Sequence, residues 1–254
     1  QMCIRDRKRR VEKMAGTIVH LLTAMLLYEE IDKRQGRYVF DSACKPEKRY
    51  FVAGNICPDG IMARTNYERS MKLHTHFRDG IPDGSFDKEG MVSLFERRML
   101  AFWKEHIEDE KEKPGLYLGY VTHMMTDEAF ILKERPRFFE RIAAIGLTQK
   151  DVESFIWFNK ETDQVDFRLI NENPILQEAY QILEQIEPYE IKGMITKDEL
   201  TQSRQWILEH FFKEGHEVEE TRYLWYRDMM QFVEKMKEQI MERLFKEEYL
   251  CISV

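Results

Sequence analysis

Apolar residues recur along this chain with the period of a helix rather than the alternation of a strand. From residue 17 to about 30, Ile18, Leu21, Leu22, Met25 and Leu26 fall on one side of a helix. A short helix is predicted over 47–56, stopped by Cys57-Pro58-Asp59-Gly60 because Pro and Gly end helices. Residues 60–88 are rich in Gly, Pro and Asp and read as a long surface loop. Asp87 offers an N-cap for a helix to about Lys111, with Met91, Leu94, Phe95, Met99, Phe102 and Trp103 as its stripe. Pro114 then opens a central helix to about Glu134, which Pro136 ends or restarts. Helices follow at 137–144, from Thr148-Asp151 to about Phe158, and at 174–186, 196–213 and 219–249. No convincing period-2 run interrupts them. The pattern predicts an all-α, multi-helix bundle of about eight to ten helices without internal repeats.

Inside the central helix lies Gly119-Tyr120-Val121-Thr122-His123-Met124-Met125-Thr126-Asp127. Residues four apart share a helix face, so His123 and Asp127 point the same way. Imidazole plus carboxylate at that spacing makes a pair of donors for a divalent metal such as zinc. Their neighbours Leu118, Val121, Met124 and Met125 are apolar, which turns the pair toward the interior. A buried Asp needs a cation or hydrogen bonds to offset its desolvation, and an ordinary helical ion pair also meets that need. Three more segments set His or Asp in apolar surroundings: His20 in 17–22, Asp59 in 53–59, and His74 and His76 in 72–79.

Composition narrows the class. The 254 residues suffice for one large core, and 43% hydrophobic with 12% aromatic residues describes a globular chain. A net charge of -7 gives no basic surface for duplex nucleic acid. No apolar run reaches the roughly 18 residues of a transmembrane segment. Cys3, Cys44, Cys57 and Cys251 are widely spaced, as free thiols in a reducing compartment would be, and a cytoplasmic location is expected. Residues 1–13, with Arg5, Arg7, Lys8, Arg9 and Arg10, read as a non-native or disordered extension before a natural start at Met14. The remainder, 14–254, reads as a single all-α domain, a motif-bearing half (about 14–158) and C-terminal helices (about 159–254) meeting at a seam near 159–174. His106, among Lys104, Glu105, Glu108 and Asp109, reads as an exposed helix residue.

Taken in order, a His in the first helix, Gly54-x-x-x-Pro58-Asp59, His76-Phe77 and Gly119-Tyr120-x-x-His123-x-x-x-Asp127 resemble the zinc-dependent phospholipase C family and its single-strand nuclease relatives. The resemblance covers about residues 14–135. It implies a helix bundle of the phospholipase C/nuclease type and a zinc site made of Asp59, His76, His123 and Asp127. Asp127 would bridge to a second ion held by His20, and His76 is preferred to His74 because an aromatic residue follows it. One to two zinc ions are implied. A third lacks its donor, since Lys133 stands where the family carries His, leaving only the distant pairs His210/Glu214 and His216/Glu220. Asp59 and Asp127 would be the catalytic carboxylates, with Arg64, Arg69 and Arg78 near the phosphate. The implied activity is zinc-dependent hydrolysis of a small phosphoester or phospholipid by metal-activated water. A nuclease-like phosphodiesterase of the same superfamily and a non-catalytic helical metal-binding or interaction protein are the alternatives. Oligomeric state is not readable.

Overall fold

The computed structural model describes residues 15–34, 45–81, 84–246 and 249. The basic run before Met14, together with Cys3, Cys44 and Cys251, lies outside them. The described chain is helical: α1 (Thr17–Arg34), α2 (Lys48–Gly54), α3 (Cys57–Gly60), α4 (Arg69–Thr75), α5 (Met91–Glu110), α6 (Leu116–Ile142), α7 (Val152–Glu172), α8 (Ile175–Gln185), α9 (Lys197–Ile207) and α10 (Tyr226–Lys246). A π-helical stretch, Leu208–Lys213, continues α9. An isolated antiparallel bridge between Ile191 and Ile195 is the sole β pairing among the described residues. No helix of these residues is long and apolar enough to cross a membrane.

Helix α6 runs through the centre, packed on α2, α5, α10 and α1. Every residue from Leu116 to Glu128 is buried, as expected for a helix enclosed on all sides. Pro136 does not end it. The lost backbone bond costs about 3 kcal/mol. Continuing the helix buries Phe138 and Ile142 completely, at about 1.5–3 kcal/mol each, which offsets that cost.

Several boundaries differ from the sequence reading. The expected loop over 60–88 contains α4 and a 3-10 turn at Ile61–Ala63, with Thr75, His76, Phe77 and Arg78 all buried. Asp87 is not a cap: α5 starts at Met91 after Gly90, whose φ of 80° suits a residue without a side chain. Helix α7 continues to Glu172, well past the end near Phe158 read from the sequence. Residues 219–225 precede α10, since Arg222, Tyr223 and Leu224 instead give their N–H groups to the buried Glu161 carboxylate at 2.9, 2.7 and 2.6 Å. His106 is buried, stacked on Tyr117 with 4.6 Å between rings and held 2.9 Å from Asp109 Oδ2.

Candidate metal centre

Two glycines bring the backbones of α2 and α6 together. A Cβ on Gly54 would lie 2.1 Å from Leu116 O, and one on Gly119 would lie 2.3 Å from Phe51 O. The close crossing presents the C-terminal end of α2, where carbonyls lack helical partners, to the side of α6. There the Asn55 carbonyl accepts from His123 Nδ1 at 2.7 Å. A carbonyl only accepts, so Nδ1 carries a proton and Nε2 is the nitrogen that His123 turns inward. His76 repeats the arrangement. It caps α4, its Nδ1 donates to Lys72 O at 2.8 Å, and its Nε2 is left bare. Phe77 follows with φ 55°, a turn that seats its ring against Phe95, Phe102 and Tyr120. Asp59 is supplied by the one-turn α3 and His20 by α1.

These five side chains converge. Asp127 Oδ2 stands 3.4 Å from His123 Nε2 and 3.7 Å from His76 Nε2, while its Oδ1 stands 3.2 Å from His20 Nε2. His76 Nε2 is 3.3 Å from Asp59 Oδ1. Two donors at about 2.1 Å from one tetrahedral ion sit about 3.4 Å apart, so the spacing is that of metal ligands. Two overlapping groups have all donor atoms within 4.8 Å of one another: His20, His123 and Asp127, and Asp59, His76 and His123. His20 and His123 lie ring on ring, 3.6 Å apart, and address different oxygens of Asp127. That is the disposition of a carboxylate bridging two ions.

Hydrogen bonding sets this cluster apart from two other buried acids, Glu110 and Glu161. Glu110 gives its oxygens to Gly115 N and Tyr117 N at 2.6 and 2.8 Å, and Glu161 is satisfied by three amides. In the cluster, the Nε2 atoms of His20, His76 and His123 and Asp127 Oδ2 have no hydrogen-bond partner among the described residues, although all are buried. Asp127 Oδ1 accepts one bond, from Ala15 N at 3.2 Å. Buried polar atoms left unbonded cost about 1–3 kcal/mol apiece, and a shared cation relieves all of them together.

The electrostatics fit cation binding. Burial pushes the Asp127 carboxyl up, but His123 and His20 outweigh it and hold the group far below the usual carboxylate range. Burial likewise raises Asp59, and the Lys72 ammonium, 2.5 Å from its Oδ1, overrides that and holds it well below. Burial lowers His76 to about 4 and lowers His20, with His123 adding to the latter shift. For His123 burial also acts downward, but the Asp127 charge prevails and raises it. Both carboxylates are therefore ionised and His76 and His20 neutral near pH 7, the forms that ligate metal.

The remaining sequence candidates fall elsewhere. His74 is exposed and paired with Asp79 at 2.7 Å, outside the cluster. Lys133 points outward to Gln239. Arg64 is engaged with Glu199 and the Met194 carbonyl, and Arg78 is buried over the Phe86 ring, so neither is a free surface cation beside the site. His210, Glu214 and His216 form a group of their own, and Glu220 joins Arg168 rather than His216. Sequence reasoning missed Lys72 and the Asn55 carbonyl. It also missed Asp166 of α7, which receives Ile18 N at 3.4 Å and sits where a Cβ on Gly16 would meet it at 2.3 Å. No spacing rule links Asp166 to α1; only the fold does.

No protein-family model, curated protein or solved structure matches this chain.

Proposed function

We propose that this chain is a zinc-dependent hydrolase of phosphoesters, built on a helix bundle of the phospholipase C/single-strand nuclease type. The observation that carries the proposal is the convergence of three bare imidazole Nε2 atoms on the two oxygens of Asp127, with Asp59 beside them. Asp59, His76, His123 and Asp127 would hold one ion, and His20 with Asp127 would hold a second. Imidazole and carboxylate donors suit zinc better than the all-oxygen shells of calcium or magnesium. When bound, zinc lowers the pKa of water toward about 7 and stabilises charge developing on phosphoryl oxygens.

The protein's own groups supply the rest. Asn55 O and Lys72 O lock the rings of His123 and His76, so the donors need no reorganisation. Asp59 is the most solvent-reachable ligand, with 17% of its side chain exposed, and is assigned to orient the attacking water. Asp127, 3% exposed, stays ionised and would offer one oxygen to each ion. The donor set supports one to two ions, because Lys133 faces away.

The test is hydrolysis of p-nitrophenyl phosphorylcholine and bis-p-nitrophenyl phosphate by purified protein of known metal content. Turnover of either substrate, abolished by chelator and restored by zinc, is expected. Zinc bound without turnover of either would overturn the hydrolase reading and leave a metal-binding protein.

A further inference from the structure

We infer that Lys72 is the oxyanion-binding residue of this centre and that its ammonium competes with the metal for Asp59. The inference rests on the metal and phosphoester reading above and names the residue that would hold the substrate's oxygens. Lys72 lies on α4 with 10% of its side chain exposed, and its Nζ reaches Asp59 Oδ1 at 2.5 Å. The same oxygen faces His76 Nε2 at 3.3 Å, so it is the atom that an ion held by Asp59 and His76 would take. One oxygen thus has two claimants, an ammonium already in place and a dication.

The backbone of Lys72 is fixed by its carbonyl, which holds the His76 ring and also accepts from Thr75 Oγ1 at 3.1 Å. Its four-carbon stem is the flexible part, and a lysine ammonium is a point charge that changes partners readily. Two carboxylates against one ammonium leave the cluster with one negative charge when the imidazoles are neutral. A single dication turns this into one positive charge, and a second adds two more. A buried surplus of positive charge needs an anion. The ammonium released from Asp59 is then the group within reach to hold a phosphate or phosphoryl oxygen. In the metal-free protein the same ammonium keeps Asp59 compensated and the cluster assembled.

The experiment compares wild type with Lys72→Met and Lys72→Arg. Zinc affinity is measured by competition with a chromophoric chelator, and inorganic phosphate is titrated calorimetrically into the zinc-loaded proteins. Lys72→Met should bind zinc about tenfold more tightly, because no ammonium has to leave and the bare Asp59 gains more from the ion. It should bind phosphate about tenfold more weakly, and Lys72→Arg should restore phosphate binding. A lysine with only a packing role would move zinc affinity the other way. Zinc affinity unchanged or weakened in Lys72→Met, or phosphate affinity unchanged, overturns the inference. If Lys72→Met does not fold, Lys72→Gln removes the charge while keeping a polar side chain and is read by the same outcomes. Wild type that takes no zinc overturns the metal reading with it; zinc-dependent hydrolysis with an unaffected Lys72 variant overturns this inference alone.

Discussion

His123 Nε2 and Asp127 Oδ2 stand 3.4 Å apart, one turn from each other on a helix buried on every side, and neither atom has a hydrogen-bond partner among the described residues. Close pairs inside proteins normally settle into hydrogen bonds. This pair is held off that geometry by the Asn55 carbonyl on the far side of the His123 ring, leaving both atoms aimed at a common point.

Asp127→Asn tests the bridge. The amide keeps the acceptor for Ala15 N but loses the charge that joins the two groups of donors. Zinc affinity should fall by at least about a hundredfold, the upper end of what weaker outer-shell changes cost. The metal-free variant should melt lower than metal-free wild type, because the ionised carboxylate that His123 and His20 hold far below its usual range has been removed. Calorimetry with and without chelator checks both.

The α2–α6 contact gives a second prediction. Gly119→Ala puts a Cβ 2.3 Å from the Phe51 carbonyl, a backbone atom that cannot swing aside. Overpacking of this kind costs about 1–3 kcal/mol. Forcing α2 away also withdraws Asn55 O from His123, so thermal denaturation should show a lower Tm and zinc titration a weaker site. Gly215→Ala, where a Cβ meets nothing, should change neither.

His76 and His74 should separate cleanly. His76→Ala removes a buried donor 3.3 Å from Asp59, and zinc affinity should drop by about a hundredfold or more. His74→Ala removes an exposed ring paired with Asp79, and zinc affinity should stay within about twofold, surface pairs of this kind being worth little. Equal effects from the two would contradict the placement of the site.

Acid should weaken what His76 and its neighbours contribute to the stability of the metal-free protein. His76 binds its proton only near pH 4 when folded but at about 6.5 when unfolded, so the unfolded chain carries more protons between those values. Its contribution is full above about pH 6.5 and is lost as pH falls toward 4. His20, Asp59 and Asp127 are lowered too and act in the same direction, with His123 alone in the cluster opposing them. Burial raises Glu110 to about 8, which works the other way between about pH 8 and 4.5, so the cluster is read as a difference: between pH 7 and 5 the chemical-denaturation midpoint of metal-free wild type should fall relative to that of metal-free His76→Ala. A wild-type midpoint that rises relative to His76→Ala on acidification would contradict the charge assignment.

The all-α class and the central helix were legible because apolar residues surround His123 and Asp127 on every side of the 3.6-residue period. The i, i+4 spacing placed that pair on one face without knowledge of the fold. Helix α4 was hidden by the Gly, Pro and Asp around it, and tertiary burial of Thr75, His76 and Phe77 decided its form. Pro136 misled because the cost of a proline is local while the burial that outweighs it is not. Arg64 and Arg78 looked available because their partners, Glu199 and Phe86, are joined to them only by folding. Lys72 was invisible as chemistry for the same reason: nothing in Arg69–Thr75 says that its side chain enters the cluster.

The most direct test of the central claim is an anomalous difference map collected at the zinc edge from crystals of zinc-loaded protein. A peak about 2.0–2.2 Å from His76 Nε2, His123 Nε2, Asp59 and Asp127 is predicted, with a second between His20 and Asp127 Oδ1 at sufficient zinc. Well-ordered density for all five side chains with no anomalous peak among them would contradict it.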